Sequence, residues 1–145
     1  MQQTRRLTPA LRADFDRVQS ATCTWCQCVA WHVPTWDGFG ERTAAENRAL
    51  REELWARGED DGYLHYVDDQ PMAWCQVGPR DRLPKLVAMY RLAPDPTAWA
   101  FTCFRVAPAF QRQGIARRLL ADALGDLAAR GVRRVEAFPD RSAGR

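Results

Sequence analysis

The residues best suited to bind a ligand lie in segment 111–118, where one glycine stands among three arginines. The stretch before it, 98–106, is apolar and typical of a strand, and the stretch after it has the spacing of a helix. The first N–H groups of a helix lack partners within the helix and lie at the positive end of its dipole. Phosphate accepts hydrogen bonds from such groups, and a glycine lets it approach the backbone. The segment therefore predicts a site for a nucleotide-like ligand that carries phosphate.

The same segment resembles the acyl-CoA-binding motif of the GNAT family of N-acetyltransferases, Gln/Arg-x-x-Gly-x-Gly/Ala. Here the motif reads Gln111-x-x-Gly114-x-Ala116, and residues 104–108 before it read FRVAP. Strand, loop, helix and second strand together span about 40 residues, which is more specific than the short motif alone. The resemblance implies that acetyl-CoA is a co-substrate and that its acetyl group passes to an amine of a small molecule or peptide.

The resemblance also implies which residues hold acetyl-CoA. The pantetheine arm is expected to bind the backbone at the end of the central strand, at Phe104, Arg105 and Val106. The pyrophosphate is expected on main-chain N–H groups of the loop and helix that follow. Those residues are Arg112, Gln113, Gly114, Ile115, Ala116 and Arg117. Gly114 matters most among them, because a side chain there would occupy the space of the phosphate.

The general base is harder to assign, since strand 98–106 has no carboxylate where family members often place a glutamate. Glu136, on the strand predicted over 132–138, is the substitute candidate and could accept the amine proton directly or through water. The alternative interpretation of Glu136 is a surface ion pair with Arg133 or Arg134. Many relatives use a tyrosine that follows this last strand as the acid. Residues 139–145 contain no tyrosine, so no residue is assigned to that role.

A short run of cysteines and a histidine is a second group that could do chemistry. Its members are Cys23, Cys26, Cys28 and His32. Thiolates at this spacing can share a zinc ion with a histidine, but no second Cys-x-x-Cys pair is present to complete a typical structural site. Packing is therefore the favoured interpretation and no metal is expected, with zinc and a redox role as weaker alternatives. Cys75 and Cys103 lie in apolar strands and are expected in the core.

Composition limits the class of protein. A chain of 145 residues with 46% hydrophobic residues is expected to form one domain, residues 1–145, with a real core. The net charge of +3 comes from 21 basic and 18 acidic residues, which argues against a nucleic-acid partner. Without a signal peptide or an apolar run of about 18 residues, neither secretion nor a membrane partner is expected. We expect a cytoplasmic protein whose cysteines are reduced.

The elements that position these residues follow the order β-α-α-β-β-β-α-β. The predicted strands are 3–7, 62–67, 72–77, 98–106 and 132–138, and the predicted helices are 8–20, 42–57 and 114–130. Thr8 and Pro9 mark the start of the first helix, and Thr43 with Glu46 forms a capping box at the second. Segments 21–40 and 78–97 are expected to be long loops, the first with a short strand at 26–31. The last two strands are expected to be parallel.

This order predicts an α/β fold, a GNAT-like mixed central sheet flanked by helices and truncated at its C-terminal end. Family members normally have two further strands and a helix after the last strand predicted here. A homodimer, or another partner that completes the sheet, is therefore expected. Two alternatives to an acetyltransferase remain open at this point: a non-catalytic acyl-CoA-binding or assembly module, and a small zinc-binding interaction protein.

Overall fold

The computed structural model describes residues 1–139, which form a mixed five-stranded sheet with helices against both faces. The strands are β1 (Gln2–Arg6), β2 (Gly62–Val67), β3 (Gln70–Pro79), β4 (Ala98–Val106) and β5 (Arg134–Ala137). The helices are α1 (Arg12–Thr22), α2 (Ala44–Ala56), α3 (Pro84–Met89) and α4 (Ile115–Ala129). The strands lie side by side in chain order, and only β4 and β5 are parallel. The predicted α/β fold class is confirmed.

Strand β3 is buried on both faces and divides the core into two parts. Ala73, Cys75 and Val77 are fully buried on the face that α4 covers. Trp74 lies between them in the sequence and packs on the opposite face, against Phe15 of α1. Successive side chains of a strand point to opposite faces, so an unbroken apolar run is what a doubly covered strand requires. Cys75 is therefore a core residue, as predicted.

Helix α4 is held over the sheet by one apolar stripe and two polar contacts. Its buried residues recur every four positions and are Ile115, Leu119, Ala123 and Leu127. The hydroxyl of Tyr63 donates to Asp126 at 2.5 Å, and that of Thr4 donates to Asp122 at 2.6 Å. Leu124, which the pattern includes in the core stripe, is 40% exposed instead. These contacts fix where the N-terminus of α4 points.

The start of the first helix differs from the prediction. Pro9–Leu11 form a single 3₁₀ turn, and the α-helix begins only at Arg12. The Thr8 side chain makes no capping hydrogen bond, while the Leu11 N–H donates to the Thr8 carbonyl at 2.9 Å in the shorter 3₁₀ pattern. The signal of Thr8 and Pro9 thus marks a turn before the helix rather than the helix itself.

The two predicted loops also differ in detail. No strand forms at 26–31, because Gln27 and Cys28 adopt left-handed φ angles of 52° and 54°. Segment 78–97 is not structureless: β3 continues to Pro79, and the short helix α3 begins at Pro84. Proline is favoured at the first position of a helix because its N–H would have no partner there. No helix within residues 1–139 has the length and apolar composition that crossing a membrane requires.

The capping box of α2 is confirmed and gives a test of this fold. The Glu46 N–H donates to the Thr43 hydroxyl at 3.1 Å, and the Thr43 N–H donates to the Glu46 carboxylate at 2.8 Å. We expect Thr43→Ala to lower the free energy of unfolding by about 1 kcal/mol, measured by urea denaturation. Thr8→Ala is the matched control and should change it by less than about 0.5 kcal/mol. Equal losses in both variants would contradict this assignment of the cap.

Candidate functional site

Strands β4 and β5 separate part of the way along β4, and this separation creates the candidate site. The two strands pair only from Ala98 with Arg134 to Phe101 with Ala137. Strand β4 then continues to Val106, still paired with β3 on its other side. Within residues 1–139, no strand pairs with segment 102–106 on the side of β5. Backbone groups along that edge are therefore available to an extended ligand.

A β-bulge lies at the point of separation. Cys103 pairs with Gln76 and Phe101 pairs with Val77, so Thr102 is the extra residue on β4. The Gln76 amide donates to the Thr102 hydroxyl at 3.0 Å, and Arg51 of α2 donates to the Gln76 amide oxygen at 2.6 Å. Arg51 is only 1% exposed. A buried guanidinium thus holds the bulge in place from the α2 side of the sheet.

The loop after β4 is braced by its own glutamines. The Gln111 side chain donates to the Val106 carbonyl at 3.1 Å, and the Gln113 side chain donates to the Ala109 carbonyl at 3.1 Å. Gly114 has a φ of 79°, the left-handed region that favours glycine. A Cβ atom there would meet no other atom within 4 Å, so the space beside the helix start is open. The backbone of the loop can therefore approach a ligand closely.

The start of α4 presents unpaired hydrogen-bond donors to this open space. The first hydrogen bond at this end of the helix runs from Arg118 N–H to the Gly114 carbonyl, at 3.0 Å. The N–H groups of residues 112–117 find no acceptor in the described part of the chain. Arg112 and Arg117 are exposed and form no ion pair there. Free donors, the helix dipole and two unpaired cations together suit an anion.

These features meet in a cavity of about 410 Å³. Its lining contains most of the residues predicted from the sequence, namely Phe104, Val106, Arg112, Gly114, Ile115, Ala116 and Arg117. Phe110 and Gln111 also line it, and neither was among the predicted site residues. Arg105 lines a neighbouring cavity of about 220 Å³ instead, because it points to the opposite face of β4. Gln113 is not among the lining residues, since its side chain turns back to the loop.

Glu136 lies one residue before the end of β4–β5 pairing, opposite Ala100. Both of its carboxylate oxygens accept hydrogen bonds from Arg80, at 2.9 and 3.0 Å. Arg134 donates a further bond at 3.0 Å. The Arg80 side chain is 5% exposed and that of Glu136 is 19% exposed. An ion pair with Arg134 is thus present, as in the alternative interpretation, while the buried partner Arg80 has no sequence signal.

The cysteine-rich loop does not form a metal site in the part of the chain that the structure describes. No three His, Cys, Asp or Glu side chains of residues 1–139 come together at metal-binding distance. The zinc alternative, with ligands Cys23, Cys26, Cys28 and His32, therefore finds no support. Burial, assisted by nearby arginines, lowers the pKa of His32 to about 3 and keeps its ring neutral. Cys103 is not an isolated core residue as predicted, since its sulfur lies 3.1 Å from that of Cys28.

Comparison with known proteins assigns this arrangement to a family. The model of the Acetyltransferase (GNAT) family matches residues 25–143, most of the sequence. The chain therefore belongs to the GNAT acetyltransferase family. No curated protein matches the chain in sequence.

Several solved structures have a similar fold. A GNAT family acetyltransferase from Brucella melitensis, in complex with acetyl-CoA, has a TM-score of 0.60 and 16% identity, covering 99% of this chain and 79% of that one. The PaiA N-acetyltransferase from Thermoplasma acidophilum, in complex with coenzyme A, has values of 0.57 and 10%, with 99% and 82% covered. A GNAT family N-acetyltransferase (YhbS) from Escherichia coli, in complex with CoA, has values of 0.60 and 16%, with 96% and 63% covered. At these identities the likeness is one of fold.

Gly114 and Gly125 form a matched pair that tests the geometry of the site. Both have open space for a Cβ atom, but only Gly114 has a left-handed φ. We expect Gly114→Ala to lower the free energy of unfolding by about 1 kcal/mol, because a Cβ is strained in that conformation. Gly125→Ala, inside α4, should raise it by up to about 1 kcal/mol, since alanine favours helix. Urea denaturation of both variants measures the difference, and a stabilised Gly114→Ala would contradict the loop geometry.

Proposed function

We propose that this chain is an N-acetyltransferase that transfers the acetyl group of acetyl-CoA to an amine of a small molecule or peptide. The observation that carries the proposal is the continuity of two features. The open edge of β4 at 102–106 leads directly into the anion-binding loop and the free N–H groups of 112–117. An elongated molecule with phosphates at one end and an amide-containing arm at the other would match both features.

The proposed orientation follows from this continuity. The pyrophosphate would lie at the N-terminus of α4, over Gly114 and between Arg112 and Arg117. The pantetheine arm would run from Val106 back along β4, where four residue steps offer roughly 13 Å of backbone edge. Its thioester would then lie near the bulge, where pairing with β5 resumes at Phe101. The acetyl-CoA and CoA complexes among the structures of similar fold support acetyl-CoA as the ligand.

The chemistry needs a neutral amine beside the thioester carbonyl and hydrogen-bond donors for the oxyanion that develops. Backbone N–H groups of the open β4 edge are candidates for those donors, because the β-bulge and the Arg51–Gln76–Thr102 contacts hold them rigidly. A preorganised donor stabilises a developing charge more than a mobile one does. The site therefore supplies binding and orientation largely through the backbone.

Glu136 is proposed as the group that accepts the amine proton. Its carboxylate also binds Arg80 and Arg134, so the test must separate a role in proton transfer from a role in the ion pair. We expect Glu136→Gln to lower turnover by roughly 10²-fold while the affinity for acetyl-CoA is preserved. Turnover is measured as release of CoA thiol with a panel of amines, and affinity by calorimetric titration. Arg134→Gln is the control, because it removes the exposed partner of Glu136 and leaves Arg80 in place. Normal turnover with lowered thermal stability in Glu136→Gln would show that Glu136 forms a structural ion pair and does not accept the amine proton.

Calorimetric titration with acetyl-CoA tests the binding site itself. We expect micromolar affinity that Gly114→Glu abolishes, because the added carboxylate would occupy and repel the phosphate position. Gly125→Glu is the matched control: it adds the same side chain inside α4, where a Cβ also meets open space, and should bind normally. Circular dichroism checks that both variants fold. Unchanged affinity in Gly114→Glu would overturn the proposed phosphate site.

A non-catalytic acyl-CoA-binding module is the second candidate function. It is favoured by one observation, the absence of any carboxylate from β4 (Ala98–Val106), where an acetyltransferase could place its base. Both functions predict the same binding result in the calorimeter. CoA release with the amine panel separates them, since only the enzyme turns over.

A further inference from the structure

Two cysteines and two arginines form a cluster on the face of β4 opposite the cavity, in which Cys28 and Arg51 are buried and Cys103 and Arg105 are partly exposed. At its middle is Arg51, which donates to the carbonyls of Gln27 and Cys28 and to the Gln76 amide oxygen, at 2.6 to 3.1 Å. These three acceptors are all neutral. A buried charge without a counter-charge is strongly unfavourable, so negative groups are needed nearby. The Asp61 carboxylate acts on Arg51 less than Cys28 and Cys103 do, and it is bonded to Arg82.

The sulfur of Cys28 is well placed to supply that negative charge. Cys28 is 4% exposed, and its sulfur lies 3.1 Å from the sulfur of Cys103 and 3.5 Å from the side-chain nitrogen of Gln19. Gln27 and Cys28 both hold left-handed φ angles, which are unfavourable for residues other than glycine. Strained backbone of this kind is concentrated at functional sites. The Arg51 hydrogen bonds to both carbonyls hold the loop in that conformation.

The charges around the pair favour a thiolate at Cys28. A hydrogen bond from Cys103 lowers the pKa of Cys28 to about 6, in spite of burial. Positive charge at Arg51 and Arg105 acts in the same direction. The bond to Cys28, together with burial, raises the pKa of Cys103, which therefore keeps its proton. Burial raises the pKa of Cys26 as well, so Cys26 is the poorer nucleophile.

We propose that Cys28 and Cys103 are a redox-active pair that hydrogen peroxide converts into a reversible disulfide. The pair combines a stabilised thiolate, a second thiol within contact distance and cationic neighbours. Cys28 itself is buried, and Cys103 is partly exposed, so peroxide would reach the pair from the side of Cys103. The bond would join the loop between α1 and α2 to the central strand. The disulfide would attach to β4 at Cys103, next to Phe104, which lines the proposed acetyl-CoA cavity.

The proposed oxidation has two steps. The Cys28 thiolate attacks one oxygen of the peroxide, the O–O bond breaks, and the products are a sulfenic acid at Cys28 and hydroxide. The sulfur of Cys103 then attacks the sulfur of Cys28 and displaces the hydroxyl group, which leaves as water with the Cys103 proton. Two electrons pass from the sulfurs to the peroxide. A dithiol reductant reverses the change by thiol–disulfide exchange.

The test treats the full chain with hydrogen peroxide, quenches it with acid and alkylates it in denaturant. We expect two of the five thiols to be lost and to return after dithiothreitol. Trypsin digestion should give a cross-link between peptides 18–42 and 92–105, which contain Cys28 and Cys103 respectively. Because peptide 18–42 also contains Cys23 and Cys26, the double variant Cys23→Ser/Cys26→Ser is needed, and it should keep the cross-link.

Two single variants complete the design. Cys103→Ser leaves the thiolate that balances Arg51, so it should fold and carry one or two added oxygens on peptide 18–42, with no cross-link. Cys28→Ser should form no cross-link either, with circular dichroism as the check on folding. Gly114→Glu should form the disulfide normally, so this result is independent of acetyl-CoA binding. Retention of all five thiols in the folded protein, or a cross-link that survives in Cys28→Ser through Cys23 or Cys26, would overturn the proposal.

Discussion

The structure depends on the unequal pairing of β4. This strand is hydrogen-bonded to β3 from Trp99 to Val106, but to β5 only as far as Phe101. One side gives the strand its rigidity, and the other leaves five residues of backbone edge open. If β5 continued beside β4, its backbone would pair with this edge and leave none of it for a ligand. The proposed binding site is therefore a gap in the sheet, and the strands that remain paired hold its geometry in place.

Arg51 of α2 connects this gap to the rest of the fold. Through Gln76 it holds Thr102 in the bulge, and through two carbonyls it holds the left-handed turn at 27–28. A lysine could not replace it, because a single ammonium group lacks the planar, fixed arrangement of donors that these acceptors require. The guanidinium is fully buried, so its charge must be balanced locally. The same side chain that fixes the geometry of β4 therefore favours a thiolate beside it.

Local signals in the sequence predicted the features that depend on neighbouring residues. The capping box at Thr43 and the start of a helix at Gly114 were predicted correctly because each involves a few consecutive residues. The contact of Cys28 with Cys103 spans 75 positions, and that of Arg80 with Glu136 spans 56. No periodicity or spacing encodes such contacts, which exist only once the sheet has formed. The left-handed turn at Cys28 could not be predicted either, because it contains no glycine. It is held by hydrogen bonds from Arg51 of α2.

Side chains alternate between the two faces of β4, so the proposed acetyl-CoA site and the proposed redox pair lie on opposite faces of neighbouring residues. Phe104 points to the cavity beside α4, while Cys103 and Arg105 point to the opposite face, toward α1 and Cys28. Adjacent residues of a strand share a peptide plane, so a displacement of Cys103 moves the backbone of Phe104 with it. A disulfide needs its sulfurs about 2 Å apart, whereas these lie at 3.1 Å. Rotation of the two side chains or a shift of the loop or of β4 can close that distance. The turn at 27–28 is held by Arg51 and β4 is held by β3, so any part of the shift that β4 takes up reaches the strand that forms the proposed acetyl-CoA site.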